Sequence, residues 1–519
     1  MRFLLHRCLS LVFFYSFALS STWAADATVP ATPAPGTPEY DNSPRANAIT
    51  TGAVDLGPRE WIDPDTGHRV IRISDEPNSQ SLYFHYNSYT PEGDKMVYGG
   101  PSGLFILDLK TLGQGTPKVD WVVDGRNLAA AASAAAPAPV SNASAPAASG
   151  GQGGESLSTA GQGTLTLTGR GGRGGRSGVS PLMAAFNSRD VYYTANGVLY
   201  AVNVDTKVSR IVTTGRPWGV NADETFVGSM VTQVDPTGKV QPPTPPTLIP
   251  QRERMFGDKI KAGIPLTPDE EYAATKEDGL ARRLLNPNSM AFVFTNLKTN
   301  NSVTVGYQYA SIDHQQFNPV DPNLVLYAHE GTWHELDRIW TIRTDGSDQR
   351  LMYKRQMDME IVGHEWWSHD GKTIWFDMQT PRSHDFWIGG VNVATGKLTK
   401  YHIQRNWWGV HFNSSRDNTL FASDGGDPTQ VAFCQDGEWI NLFRVQPDGS
   451  VTREKLVNLS KNNYVTGQGG IEPNVTITPD NKWVVFRANM HGGTVQVYAV
   501  EIGGDPAKIS KPEKFVATN

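Results

Sequence analysis

The stretch SHDGKTIWFDMQTPRSHDFWIGGVNV, residues 368–393, carries the pattern from which the fold is read. A polar turn with an Asp-Gly step leads into the alternating strand TIWFDM, and after a second reversal the chain returns as FWIGGVNV. Alternation with period two marks a strand with one buried face, and Gly or Asn steps between such runs mark tight reversals. The same unit recurs along the chain: TPEGDK (90–95) runs into KMVYGG and then GLFILDL, SSRDNT (414–419) opens another, and TPDNKW (478–483) runs into WVVFRA and then VQVYAVEI. Unit starts fall near 85, 187, 218, 314, 364, 411 and 474. Four-stranded units at roughly 40–50 residues are the signature of propeller blades, so the expectation is an all-β, seven-bladed β-propeller. The strand HRVIRI (68–73) precedes the first unit and is placed to close the ring against the last blade.

The remaining segments are set off by composition. Residues 1–24 have a charged start, an apolar run from Cys8 to Leu19 and small residues before Ala25, the order of an export leader. That run is shorter than the roughly 20 residues that span a bilayer, so a cleaved signal peptide and a periplasmic or secreted protein are expected, with no membrane span after its removal. Residues 25–58 read as a disordered lead-in. The propeller occupies 59–519, interrupted by a low-complexity loop at 128–178 and a charged helical insertion at 250–285 in the third blade. Of the two cysteines, Cys8 lies in the leader, which leaves Cys434 without an intrachain partner. A net charge of −6 lacks the basic surplus of a nucleic-acid binder, so no nucleic-acid partner is expected.

Eight of the twelve histidines fall between His314 and His411. His314 (IDHQQF), His364 (VGHEWW) and His411 (GVHFNS) stand at equivalent blade starts, which would bring three imidazoles to one mouth of the central channel. The matching region of the last blade holds Glu472 and Asn474, with Gln468 just before. An imidazole, a carboxylate and two amides suit Mn²⁺, Mg²⁺ or Ca²⁺ better than Zn²⁺. Taken singly, each histidine reads equally well as a hydrogen-bonded structural residue. Arg338, Arg382 and Arg405 gather positive charge in the same region, which fits an anionic substrate, since a guanidinium pairs two-pronged with a carboxylate. The alternative is that these arginines brace loops. Trp333, Trp366, Trp367, Trp407 and Trp408 suit either sugar stacking or a propeller core.

Four ordered segments, HEGTWHELDRIW (329–340), GHEWWSHDG (363–371), VHFNSSRDNTLFASDGGD (410–427) and EPNVTITPD (472–480), resemble the oligogalacturonate lyase family, with similarity running from about residue 60 to 500. The resemblance implies a seven-bladed propeller, a bound divalent metal, typically Mn²⁺, and β-elimination by a histidine base on an acidic oligosaccharide. It assigns His364 as the base, Arg338, the arginine after the HEG segment, as the second catalytic residue that binds or neutralises the substrate carboxylate, and His411 as a metal ligand. His314, His329 and Arg382 are taken as substrate-binding residues, and Glu472, Asn474 and Gln468 as the remaining metal ligands. Two departures stand out. The family's His-Pro-His ligand segment reads Glu472-Pro473-Asn474 here, and family members are often cytoplasmic.

The expected chemistry follows from the substrate. Removing the C5 proton of a uronate builds negative charge on the adjacent carboxylate, which a cation stabilises. A neutral histidine near its usual pKa of about 6.5 accepts that proton at ambient pH. Two other readings remain open: a non-catalytic, TolB-like binding propeller, and a glycoside hydrolase using Glu330 and Glu365 as paired carboxylates.

Overall fold

The computed structural model describes residues 56–125, 178–215, 217–285, 287–464, 470–504, 509 and 511–515. The expected leader, the lead-in up to residue 55, the low-complexity stretch up to residue 177, and Gln468 lie outside the described residues.

Seven antiparallel sheets follow one another along the chain and form a seven-bladed β-propeller. Their first strands are Gln80–Ser81, Val179–Ala184, Gly219–Val220, Ser311–Phe317, Ile361–Trp367, Phe412–Ser414 and Thr476–Ile477. The second blade starts at Val179, ahead of the start read near 187. Pro181 interrupts the strand pattern of its inner strand, and proline cannot donate to a ladder. The strand Arg69–Arg72 pairs with Gln496–Glu501, Val70 opposite Val500, so the N-terminal end of the ring completes the last blade. Glu60–Ile62 adds a fifth strand outside it.

The core is divided in the same way as the sheets. Among the described residues seven hydrophobic clusters occur, one at each junction between neighbouring blades. The junction of blades five and six is the most aromatic, with Trp366, Trp375, Trp407, Trp408, Phe412 and Phe421 in one cluster. Fully burying one large apolar side chain stabilises by about 1.5–3 kcal/mol, so each junction contributes several such terms.

The repeated turns share one design. A Ser or Thr hydroxyl bonds an Asp carboxylate in Ser368–Asp370, Ser415–Asp417, Thr478–Asp480 and Thr90–Asp94. One further position in each turn is left-handed and is held by Gly371, Asn418, Asn481 or Gly93. Gly enters that region without steric cost, and Asn is the side chain best tolerated there.

Two helices, α1 (Gln251–Lys261) and α2 (Pro268–Leu285), lie between the strands Phe226–Thr232 and Ser289–Asn296 of the third blade. A reciprocal pair of bonds starts α2: the Glu270 N–H donates to Thr267 Oγ1 at 3.2 Å, and the Thr267 N–H donates to Glu270 Oε2 at 2.9 Å. The helices are fastened onto blades four and five. Arg382 donates to Glu277 at 2.9 Å, His334 Nε2 meets Gln251 Oε1 at 2.9 Å, and Arg283 pairs with Glu330 at 3.3 Å. Among the described residues no helix is long and apolar enough to cross a membrane.

Candidate active site

Two inner strands depart from regular pairing at the same place. In blade four the register slips between Asp313 and Gln316, and in blade five between Gly363 and Trp366. The residue at each bulge is a histidine in the left-handed region, His314 at φ 52° and His364 at φ 41°. A bulge re-aims the side chain it carries, and here the two rings come together. The ring centroids of His314 and His364 are 5.6 Å apart, and those of His364 and His411 are 4.5 Å apart. Phe84, from the first blade, touches all three rings. The three blade-start histidines therefore form one cluster.

Their partners differ. His314 Nδ1 lies 2.9 Å from Glu365 Oε1, and Arg338 donates to Glu365 Oε2 at 2.9 Å and to Glu330 at 2.5 Å. Burial alone would push His314 down, but the Glu365 carboxylate outweighs it and the pKa is raised. Glu365 is held well below the usual carboxylate range by Arg338 and His314, against the opposing effect of burial. His411 Nδ1 meets Asp424 Oδ2 at 2.7 Å, and its Nε2 lies 3.0 Å from the Tyr83 hydroxyl and 3.8 Å from Glu472. A carboxylate only accepts, so the proton sits on Nδ1, and in the neutral ring Nε2 accepts from Tyr83.

His364 has neither arrangement. Its Nδ1 is buried without a partner, 3.9 Å from the equally unpartnered Oδ1 of Asp377. Its pKa is lowered well below the ordinary value, first by burial and then by electrostatic interaction with His411, His314, Arg338 and Lys276. Asp377 is pushed up to about 7, chiefly by burial. The Trp333 and His364 rings meet edge to face, with centroids 4.9 Å apart.

The other expected residues fall in several places. Arg338 is in the cluster but fully buried, with its guanidinium paired to the carboxylates of Glu330 and Glu365. His329 stands away from the cluster, stacked on Trp340 and bonded to Gln308 at 2.8 Å. Arg382 anchors the helical insertion through Glu277. Arg405 braces loops, donating to the carbonyls of Ala432 and Ser383. Trp366, Trp367, Trp407 and Trp408 are core residues, while Trp333 is half-buried beside His364. Glu330 and Glu365, the carboxylates of the hydrolase reading, both clamp Arg338.

The expected metal set is only partly assembled. Asn474 Oδ1 accepts the Phe84 N–H at 3.1 Å and its Nδ2 donates to the Glu472 carbonyl at 3.1 Å, so both ends of the amide are committed. That leaves one imidazole nitrogen, shared with Tyr83, and one carboxylate. Among the described residues no group of three or more His, Cys, Asp or Glu side chains could hold a metal ion. The donors among the described residues do not by themselves fit a Mn²⁺ centre, and Gln468, the remaining expected ligand, lies outside them.

Several residues of the site escaped the sequence reading. Tyr83 and His85 belong to the blade start near residue 85, and the repeat logic that selected the other histidines could have found them. His85 packs 5.0 Å from His314, and both of its ring nitrogens are buried and unpartnered. Asp424 and Asp377 sit on second strands or beyond, where nothing in the local sequence sets them apart from turn aspartates.

Residues 283–504 match the family model described as oligogalacturonate lyase, a span that includes His314, Arg338, His364, His411, Glu472 and Asn474. The oligogalacturonide lyase of Pectobacterium atrosepticum (strain SCRI 1043) is 25% identical over 217 residues, covering 39% of this chain and 55% of that protein. The oligogalacturonate lyase of Dickeya dadantii (strain 3937) is 26% identical with the same coverage. An oligogalacturonate lyase solved in complex with manganese superposes with a TM-score of 0.57 at 18% identity, covering 86% of this chain and 96% of the other. The matched part of the chain is similar to the oligogalacturonate lyase family, and the fold is shared around the ring. The enzyme of that family from Vibrio parahaemolyticus gives a TM-score of 0.56 at 17% identity, over 86% of this chain and 97% of its own. The chain spans about half the length of the curated oligogalacturonate lyases it matches in sequence, while the structural likeness extends the shared fold around the ring.

Proposed function

We propose that this protein is a lyase that cleaves uronic-acid oligosaccharides, oligogalacturonides first among them, by β-elimination. His364 takes the C5 proton on Nε2, the freed electron pair forms the C4–C5 double bond, the C4–oxygen bond breaks, and the leaving oxygen is protonated by solvent. The observation that carries this reading is the state of His364. It is held neutral, its Nε2 has no partner among the described residues, and its side chain is 12% exposed at the centre of the cluster. A base pressed down by surrounding cations is weak until an anion arrives. The substrate carboxylate supplies that negative charge, which raises the pKa of the ring where the proton is to be taken. Lys276, exposed on α2, and the buried Arg338 contribute the positive field that stabilises the enolate-like charge. Trp333 offers a ring face beside the base.

Among the described residues His411 and Glu472 alone do not make up a donor set, so no step is routed through a metal. Calorimetric titration with Mn²⁺ tests this: those two donors alone are expected to give no tight site, and a tight site would bring further ligands into the account. The lyase reading is tested by incubating the mature protein with oligogalacturonides and other uronate oligomers and following ultraviolet absorbance of the unsaturated product. A rise on at least one substrate is expected. Absence of a rise on every substrate, with binding retained, would point instead to a binding propeller. We also propose that the protein is exported, on the reading of residues 1–24. N-terminal sequencing should find Ala25 first, and an intact Met1 would overturn it.

A further inference from the structure

Each histidine of the cluster directs Nδ1 at a carboxylate: His411 at Asp424 (2.7 Å), His314 at Glu365 (2.9 Å), and His364 at Asp377 (3.9 Å). The first two pairs are closed hydrogen bonds and the third is open. Both of its facing atoms, His364 Nδ1 and Asp377 Oδ1, are buried, and neither has another partner. A buried unsatisfied pair facing one another calls for a functional explanation.

The surroundings are built to keep the two groups aimed. Asp377 lies on the strand Thr373–Gln379, directly opposite Gly363 in the ladder. Its Oδ2 accepts the Trp408 indole N–H at 3.1 Å, which fixes the rotation of the carboxylate. A Cβ at position 363 would stand 2.7 Å from the Trp333 ring and 2.9 Å from Asp377 Oδ1, so glycine is needed for both to approach the base. The left-handed backbone of His364 then sets the ring over that opening.

We propose that Asp377 is the positioning residue of His364, holding its imidazole in the form protonated on Nδ1 so that Nε2 is the basic nitrogen. Hydrogen bonds of this kind are often long in the free enzyme and tighten when substrate binds. The kinetic consequence rests on the lyase reading above, whereas the tautomer is a property of the protein alone.

The test uses full-length mature protein labelled with ¹⁵N-histidine at about pH 8, where the Asp377 carboxyl is ionised and only accepts, with His364 assigned by comparison with His364→Gln. The wild-type ring is expected as the Nδ1–H tautomer, and Asp377→Asn, whose amide can donate to Nδ1, as the Nε2–H tautomer. The same substitution should lower kcat by about 10²-fold or more with KM little changed. An Nε2–H tautomer in the wild type overturns the proposal, and that measurement does not depend on whether the variant folds. A tautomer unchanged in Asp377→Asn, or a kcat within about threefold of wild type, also overturns it. If no uronate is turned over by any form, the lyase reading fails while the tautomer still decides the role of Asp377.

Discussion

Blades four and five make the same backbone move and obtain opposite chemistry from it. His314 and His364 occupy matching bulges with left-handed backbone, yet His314 is raised by a carboxylate at 2.9 Å while His364, with no closed partner, is driven well below its ordinary value. Repetition supplies the position, and the neighbouring strand decides the protonation state. Glu365, the residue after His364, is the side chain that makes the difference, because it reaches back across the blade junction to His314 and Arg338.

The contrast is broken most severely at the base itself. His364→Gln is expected to lower kcat by about 10³-fold while leaving the melting temperature close to wild type, since no partner is lost. Full activity in the ultraviolet assay would end the assignment. Arg338→Met should act the other way, on stability first. It leaves Glu330 and Glu365 facing one another with the cation removed, and uncoupling a buried pair costs about 3–5 kcal/mol. Unchanged urea unfolding would show that the network does not stabilise the fold.

The third prediction concerns pH. The folded pKa of His314 is raised, so the stability it contributes is fully present below the unfolded value near 6.5 and is lost as pH rises through the folded value. His314→Gln should therefore flatten the stability profile on the alkaline side of about pH 6.5, measured as melting temperature against pH. A variant with the same slope as wild type would remove His314 from the account.

The smallest effect on stability is expected at Asp377. Its carboxyl is raised to about 7 by burial, so the fold favours the protonated form, and that stability is present below the unfolded carboxyl value and lost as pH rises through 7. Asp377→Asn should consequently be more stable than wild type at about pH 8, by on the order of 1–3 kcal/mol, even as turnover falls. A variant less stable than wild type at that pH would contradict the buried-carboxylate argument.

The fold was legible because propeller turns use few residue types for physical reasons. Gly93, Gly371, Asn418 and Asn481 mark the left-handed turn positions, and alternation on either side marks the strands. The blade starts that carry His314, His364 and His411 could be aligned by eye, and that alignment brought the cluster together. What stayed hidden were the pairings across blades. Nothing near Arg338 in sequence tells that Glu365 takes one edge of its guanidinium. Asn474 looked available as a ligand because the Phe84 N–H that occupies its oxygen is 390 residues away. Asp377 reads as one more polar residue in a strand until Gly363 and Trp408 are placed around it.

The ring closure sets the order of events during synthesis. The His68 ring bonds the Glu501 carbonyl across a separation of 433 residues, and the neighbouring strand pairing spans a similar distance. Contacts so remote in sequence form late and slowly. A ribosome that has delivered six blades has therefore delivered an open arc whose two end faces still expose apolar surface. The seventh junction appears only when almost the whole chain is available, so its strand edges need protection from neighbouring chains until the first described strands meet the last.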